Sequence, residues 1–184
     1  MNLRNTLIIL LFLAFSCKND SGNGDNKINK NSSNKIQNVY YGYTLILNAV
    51  VKEDDYFLIN YITEYEDKKF IKNNVIEVKV NGSNTIQKIE FKIPDDVTEL
   101  HRLRFNFGRN REQKSVSFKN ITIKKNSKEL ILDIKQIKRF FISNAYLDID
   151  YENGTFTLKE NQGEYNPFIL SKWSLWSLIN KSLG

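Results

Sequence analysis

From Val39 onward the apolar residues recur at every second position, and that period fixes the kind of secondary structure the chain can form. Val75-Ile76-Glu77-Val78-Lys79-Val80 places Ile76, Val78 and Val80 on one side. Ile89, Phe91 and Ile93 alternate with Lys88, Glu90 and Lys92, and Leu103, Phe105 and Phe107 alternate with Arg102, Arg104 and Asn106. Val116 and Phe118 continue the pattern, which changes phase near Asn120 before Ile121 and Ile123. Period two, broken by Asn, Gly and Asp, is the signature of half-buried antiparallel strands. Residues 39–51 and 56–63 are more continuously apolar and suit central strands or a long first hairpin. About nine candidate strands predict an all-β domain over residues 39–184, a two-sheet antiparallel β-sandwich.

Two local features refine this. Asn153-Gly154, between Leu147–Glu152 and Thr155–Lys159, predicts a type I′ hairpin. A two-residue loop would pair Glu152 with Thr155, Tyr151 with Phe156, Ile149 with Leu158 and Asp148 with Lys159. In residues 171–184 the period becomes helical, with Trp173, Trp176, Ile179 and Leu183 on one stripe and Ser174, Ser177 and Lys181 on the other. A short amphipathic C-terminal helix follows. It either lies in a membrane interface, where Trp is favoured, or covers the open end of the sandwich; docking is expected.

Residues 1–16 are of a different kind. Arg4 precedes the apolar run Leu7–Phe15, too short for a bilayer that needs about 20 apolar residues in a helix, and this reads as a signal peptide. The run ends at Ala14-Phe15-Ser16-Cys17, which resembles the lipobox of bacterial lipoproteins. The resemblance implies cleavage before Cys17, a diacylglycerol on its thiol and an acylated new amine. A thiol suits that chemistry because its thiolate is a strong nucleophile near neutral pH. Lys18 stands where an Asp would resemble an inner-membrane retention signal, so the expected location is the outer membrane. Cys17-Lys18-Asn19-Asp20 loosely resembles a surface-export signal, but Asn19 interrupts its acidic pair. Residues 17–38, rich in Asn, Ser, Gly and Lys, carry too little apolar surface to order and are expected to form a tether from the lipidated Cys17.

Composition narrows the chemistry. A single Cys excludes a disulfide framework and a cysteine-built zinc site, and a single His argues against a His-dependent triad. No Gly-x-Ser-x-Gly elbow or phosphate-cradling loop occurs. Asp148, Asp150 and Glu152 have the spacing of a calcium loop, but Gly154 comes one place late and Lys159 replaces the final acid, so they read as solvent-facing strand acids. Asp54-Asp55 reads as a turn and His101 as a surface residue. No catalytic residue, metal ligand or cofactor is therefore expected. The 27 Lys+Arg against 21 Asp+Glu are interleaved with one another, which argues against nucleic acid as a partner. One group stands out: Arg102 and Arg104 on one strand face, then Arg109, Arg111 and Lys114, with only Glu112 among them. It is a candidate site for an anionic glycan or lipid headgroup, set against a charged sheet edge that keeps other strands from pairing.

Two stretches together carry a family likeness. Asp55-Tyr56-Phe57-Leu58-Ile59-Asn60-Tyr61, with the run from Ile86 to Pro94 and then Leu103-Arg104-Phe105-Asn106-Phe107-Gly108, is similar to jelly-roll modules of the carbohydrate-binding, galactose-binding-like kind. The resemblance covers roughly residues 40–160 and implies a noncatalytic jelly-roll-like sandwich, without transferring a sugar site. The sequence thus predicts a lipid-anchored envelope protein that binds glycan or another envelope component. The alternatives are an accessory subunit for another envelope protein and a small envelope hydrolase with an atypical site. Cys17→Ala is expected to abolish both fatty-acid labelling and cleavage between Ser16 and Cys17; an intact mass showing an unmodified thiol at Cys17 of the mature chain would refute the anchor.

Overall fold

The computed structural model describes residues 42–64, 70 and 74–184. Residues 1–41, on which the expected signal peptide, Cys17 and the expected tether fall, lie outside the described residues. In chain order the strands are β1 (Tyr43–Val51), β2 (Asp55–Ile62), β3 (Val75–Val80), β4 (Gln87–Lys92), β5 (Arg102–Asn106), β6 (Ser115–Lys125) and β7 (Lys128–Asp133). Helix α1 (Ile134–Phe140) follows, then β8 (Phe141–Ser143), β9 (Leu147–Asp150), β10 (Thr155–Leu158), β11 (Phe168–Ser171) and helix α2 (Ser174–Leu183). The first sheet runs β4-β1-β6-β10-β9, with β7 also on β6; the second runs β3-β2-β5-β11-β8. Every pairing is antiparallel. The domain is the antiparallel β-sandwich that the alternation predicts.

The inward set is the predicted one. Ile89, Phe91, Ile93, Leu103, Phe105, Phe107, Val116, Phe118, Ile121 and Ile123 are all buried. Aromatic rings join the sheets. Phe107 meets Phe57, Phe118 and Phe156 edge-on at centroid distances of 5.8, 5.2 and 5.7 Å, and Phe91 meets Phe105 at 6.4 Å. Each buried ring contributes about 1.5–3 kcal/mol by desolvation, and edge-to-face contact adds about 0.5–1.5 kcal/mol. β1 and β2 are each central, but in different sheets, so they are not a hairpin. The phase change near Asn120 is a bulge: Asn48 faces Asn120 and Ala49 faces Phe118, leaving Lys119 without a ladder partner. Asn48 Nδ2 donates to Asn120 Oδ1 at 2.6 Å across the irregularity.

Three differences from the sequence reading have physical causes. The 147–158 hairpin pairs Asp150 with Thr155, Ile149 with Phe156 and Leu147 with Leu158, closing a loop of four residues, Tyr151–Gly154. Asp150 draws the loop inward, since Oδ1 accepts from the N–H of Glu152 (2.9 Å) and of Asn153 (3.1 Å). Gly154 (φ +66°) is held against β6, where its carbonyl accepts from Phe118 N–H at 2.7 Å. The slip is by two residues, so faces are kept, and Asp148 still pairs with Lys159 at 2.7 Å. Second, α1 adds a helix before the tail. Asp133 and Gln136 form a capping box, and Ile137 and Phe140 reach the core. Third, α2 docks through Ile179 and Leu183 of the expected stripe together with Leu175, while the two tryptophans of that stripe are not among its buried residues. The helix begins at Ser174, so Trp173 remains outside it and 38% exposed.

Five sheet-to-sheet crossovers meet at one end (β1–β2, β3–β4, β5–β6, β8–β9 and β10–β11), and Asp55 joins two of them. Its Oδ1 accepts from Tyr56 N–H (2.7 Å) and Arg109 N–H (2.9 Å), and its Oδ2 from Asn110 N–H (3.1 Å). Gly108 (φ +87°) permits that approach, because a Cβ there would lie 1.8 Å from Asp55 Oδ2. Next to it, Asp54 Oδ1 accepts from Gly82 N–H at 2.6 Å and the Asp54 carbonyl from Asn110 Nδ2 at 3.0 Å. The buried Gln113 accepts from Glu53 N–H at 2.7 Å and donates to the Ser115 carbonyl. Asp55→Ala strands three backbone donors and is expected to destabilise the domain by about 2–4 kcal/mol. The check is the midpoint of urea unfolding, with an unchanged midpoint as the contrary result.

Candidate functional site

The outer face of the second sheet brings Arg102 and Arg104 together with residues from both neighbouring strands. On β5, period two turns Leu103 and Phe105 inward and Arg102, Arg104 and Asn106 outward. The register sets Asn60 of β2 and Leu170 of β11 opposite Arg104, and Leu58 and Phe168 opposite Asn106. β5 is thus central, and Arg102 and Arg104 are not on a sheet edge. The charged-edge reading fails for them because both flanks of β5 already carry ladder partners.

A hydrogen-bonded row crosses this face. Asn106 Nδ2 donates to Asn60 Oδ1 at 2.9 Å, and Arg104 Nε donates to Asn106 Oδ1 at 3.1 Å. Arg104 Nη2 donates to Asn166 Oδ1 at 3.2 Å. The Arg104 guanidinium lies 3.8 Å from the centroid of the Phe168 ring. Arg102 donates from Nε and Nη2 to the Ser171 carbonyl at 3.2 and 3.1 Å, 5.1 Å from the Trp173 ring. Partial burial lowers the pKa of both guanidiniums, though an arginine remains charged. Around the row, Tyr56 (45%), Ile142 (49%) and Trp173 (38%) are the exposed apolar side chains.

The other three cations belong to the end of the sandwich. Arg109 Nη2 pairs with Glu77 Oε2 at 2.6 Å, and Arg111 Nη1 with Glu160 Oε1 at 3.1 Å. Arg111 also donates to the Gly163 carbonyl, and Lys114 donates to the carbonyl of Arg111 at 2.8 Å. The five candidates therefore divide: Arg102 and Arg104 with neutral partners on the sheet, and Arg109, Arg111 and Lys114 tied into the β5–β6 crossover. Sequence reasoning missed Asn60, Asn106, Asn166 and Phe168. A signal existed, since Asn is disfavoured inside strands, yet Asn60 and Asn106 occupy outward positions within β2 and β5.

The remaining candidates take structural positions. His101 is buried, not on the surface, stacked on Trp176 at 4.9 Å with Nε2 3.1 Å from Glu99 Oε2. Its backbone is drawn in with β5, where its N–H donates to the Ile62 carbonyl at 2.8 Å. Asp148, Asp150 and Glu152 are exposed. Among the described residues no group of three or more His, Cys, Asp or Glu is arranged to hold a metal ion. A cleft of about 520 Å³ lies at the sandwich end opposite Asp55, lined by Tyr61, Glu64, Asp96 and their neighbours. Comparison with protein-family models, curated proteins and solved structures finds no match to the chain.

Tyr165 secures the crossover that carries Arg109 and Arg111. Its hydroxyl lies 3.2 Å from the Asn110 carbonyl and 3.4 Å from that of Gln113. Burial, then the charge of Asp55, pushes its pKa up to about 12 from 10.0, against the opposing pull of Arg111. A raised pKa means that the neutral phenol stabilises the fold fully below pH 10 and loses that contribution as pH rises toward 12. Urea midpoints measured from pH 9 upward should therefore fall across this window, and more shallowly in Tyr165→Phe. Equal slopes for the two proteins would remove Tyr165 from the account.

Proposed function

We propose that the chain is a lipid-anchored, noncatalytic envelope protein that binds glycan on the outer face of its second sheet. The observation that carries this reading is the Asn60–Asn106–Arg104–Asn166 row beside the Phe168 and Trp173 rings. Amides both donate and accept, which suits sugar hydroxyls; the exposed Trp173 ring offers a flat surface for the C–H face of a sugar, and the Phe168 ring backs the Arg104 guanidinium. The row is ordered by its own hydrogen bonds, so little freedom is lost on binding. The likeness to carbohydrate-binding jelly-roll modules and the lipobox at Cys17 support the same reading.

A hydrolase would draw on Glu64 and Asp96 in the cleft beside Tyr61. Both side chains are exposed, whereas a catalytic acid is normally kept protonated by burial or a close like charge. The sheet face is therefore preferred. A glycan array probed with the purified full chain should give hits that weaken about tenfold or more in Phe168→Ala and in Asn106→Ala. No hit on the array, or undiminished binding by both variants with unchanged thermal midpoints, would overturn the reading.

A further inference from the structure

Granted that glycan-binding reading, we infer that the ligand is an acidic polysaccharide of the uronic-acid type, its carboxylates received by Arg102 and Arg104. The argument is one of charge compensation. Arg109 and Arg111 already have carboxylates at 2.6 and 3.1 Å, and Lys114 serves a backbone carbonyl. Arg102 and Arg104 have only neutral oxygens as hydrogen-bond partners among the described residues: a backbone carbonyl for one and two amide oxygens for the other. Those bonds orient each guanidinium without neutralising it.

Both planes are further fixed against rings, at 5.1 Å from Trp173 and 3.8 Å from Phe168. A guanidinium held in this way presents its remaining N–H groups as a fork that matches a carboxylate and pays little in ordering. Partial burial strengthens the attraction relative to a fully solvated cation. The two guanidiniums diverge along the strand, Arg104 toward Asn106 and Asn166 and Arg102 toward Ser171 and Trp173, so the pair suits carboxylates on separate sugars of one polymer. A bilayer surface is a poorer match, since membrane binding gains about 1 kcal/mol for each freely exposed Lys or Arg and needs several of them.

The test uses the purified full chain with polygalacturonate, alginate and carboxyl-reduced polygalacturonate at 0.1 and 1 M NaCl. Phosphatidylglycerol vesicles are compared with phosphatidylcholine vesicles in parallel, so that insertion of the anchor cancels. Polygalacturonate or alginate should bind. Carboxyl reduction or 1 M salt, where the Debye length falls from about 10 to about 3 Å, should weaken binding about tenfold. Arg102→Gln with Arg104→Gln should do the same in a protein that still unfolds cooperatively, while Arg109→Gln with Arg111→Gln should not. The carboxyl-reduction arm needs no variant and stands even if a substitution impairs folding. Equal binding to native and carboxyl-reduced polymer would overturn the acidic ligand and leave the glycan reading intact. Binding to phosphatidylglycerol without binding to either polyuronate would overturn the acidic polysaccharide, and no binding to any probe together with an empty glycan array would overturn both readings.

Discussion

One carboxylate organises the end of this sandwich. The chain passes between the sheets at Lys52–Asp54 and again at Phe107–Lys114, and each passage exposes backbone donors that no ladder can satisfy. Asp55 takes up three of them, and Gly108 leaves the space in which it can do so. Asp54 and Gln113 extend the fastening to Gly82 and Ser115. Directly beneath lies the cluster of Phe57, Phe107, Phe118 and Phe156, drawn from both sheets. Hydrogen bonds that satisfy a buried backbone are worth most where water is excluded, so this polar fastening and the aromatic packing reinforce each other.

The fold was largely legible because burial on one face leaves a period in the sequence. Period two by itself turns Leu103, Phe105 and Phe107 inward, and the phase change near Asn120 marks the place where the structure has a bulge at Lys119. The register of the 147–158 hairpin was not legible. The Asn153-Gly154 signal is local, whereas the outcome depends on Asp150 capping the loop and on the pull of Phe118 on Gly154. Helix α1 was missed because its seven residues include two β-branched isoleucines and too few turns for a helical period to stand out. Its capping pair Asp133 and Gln136 was the available sign.

The candidate site was legible in part. Period two places Arg102 and Arg104 on a common face without further information. What the sequence does not carry is which cations already have a counter-charge, since Glu77 and Glu160 lie 32 and 49 residues from the arginines they meet. Nor does it show that Asn166, from the segment before β11, arrives beside Arg104. Proximity along the chain made one group of five positive charges; the sandwich sorts them into two kinds of surface.

β6 has an unequal pair of flanks. One side is bonded to β1 along its length, while the other is divided: Ser115–Ser117 belong to β10 and Asn120–Lys125 to β7. Lys119, outside the ladder, lies at the division. A fraying motion that begins where β7 turns back from β6 therefore meets an interruption before it reaches β10. The two segments are therefore expected to open separately, each with its own local free energy of exchange with solvent. Such a partition would keep disturbance of the β7 segment away from the hairpin whose Gly154 leans on β6 and from the aromatic cluster behind it.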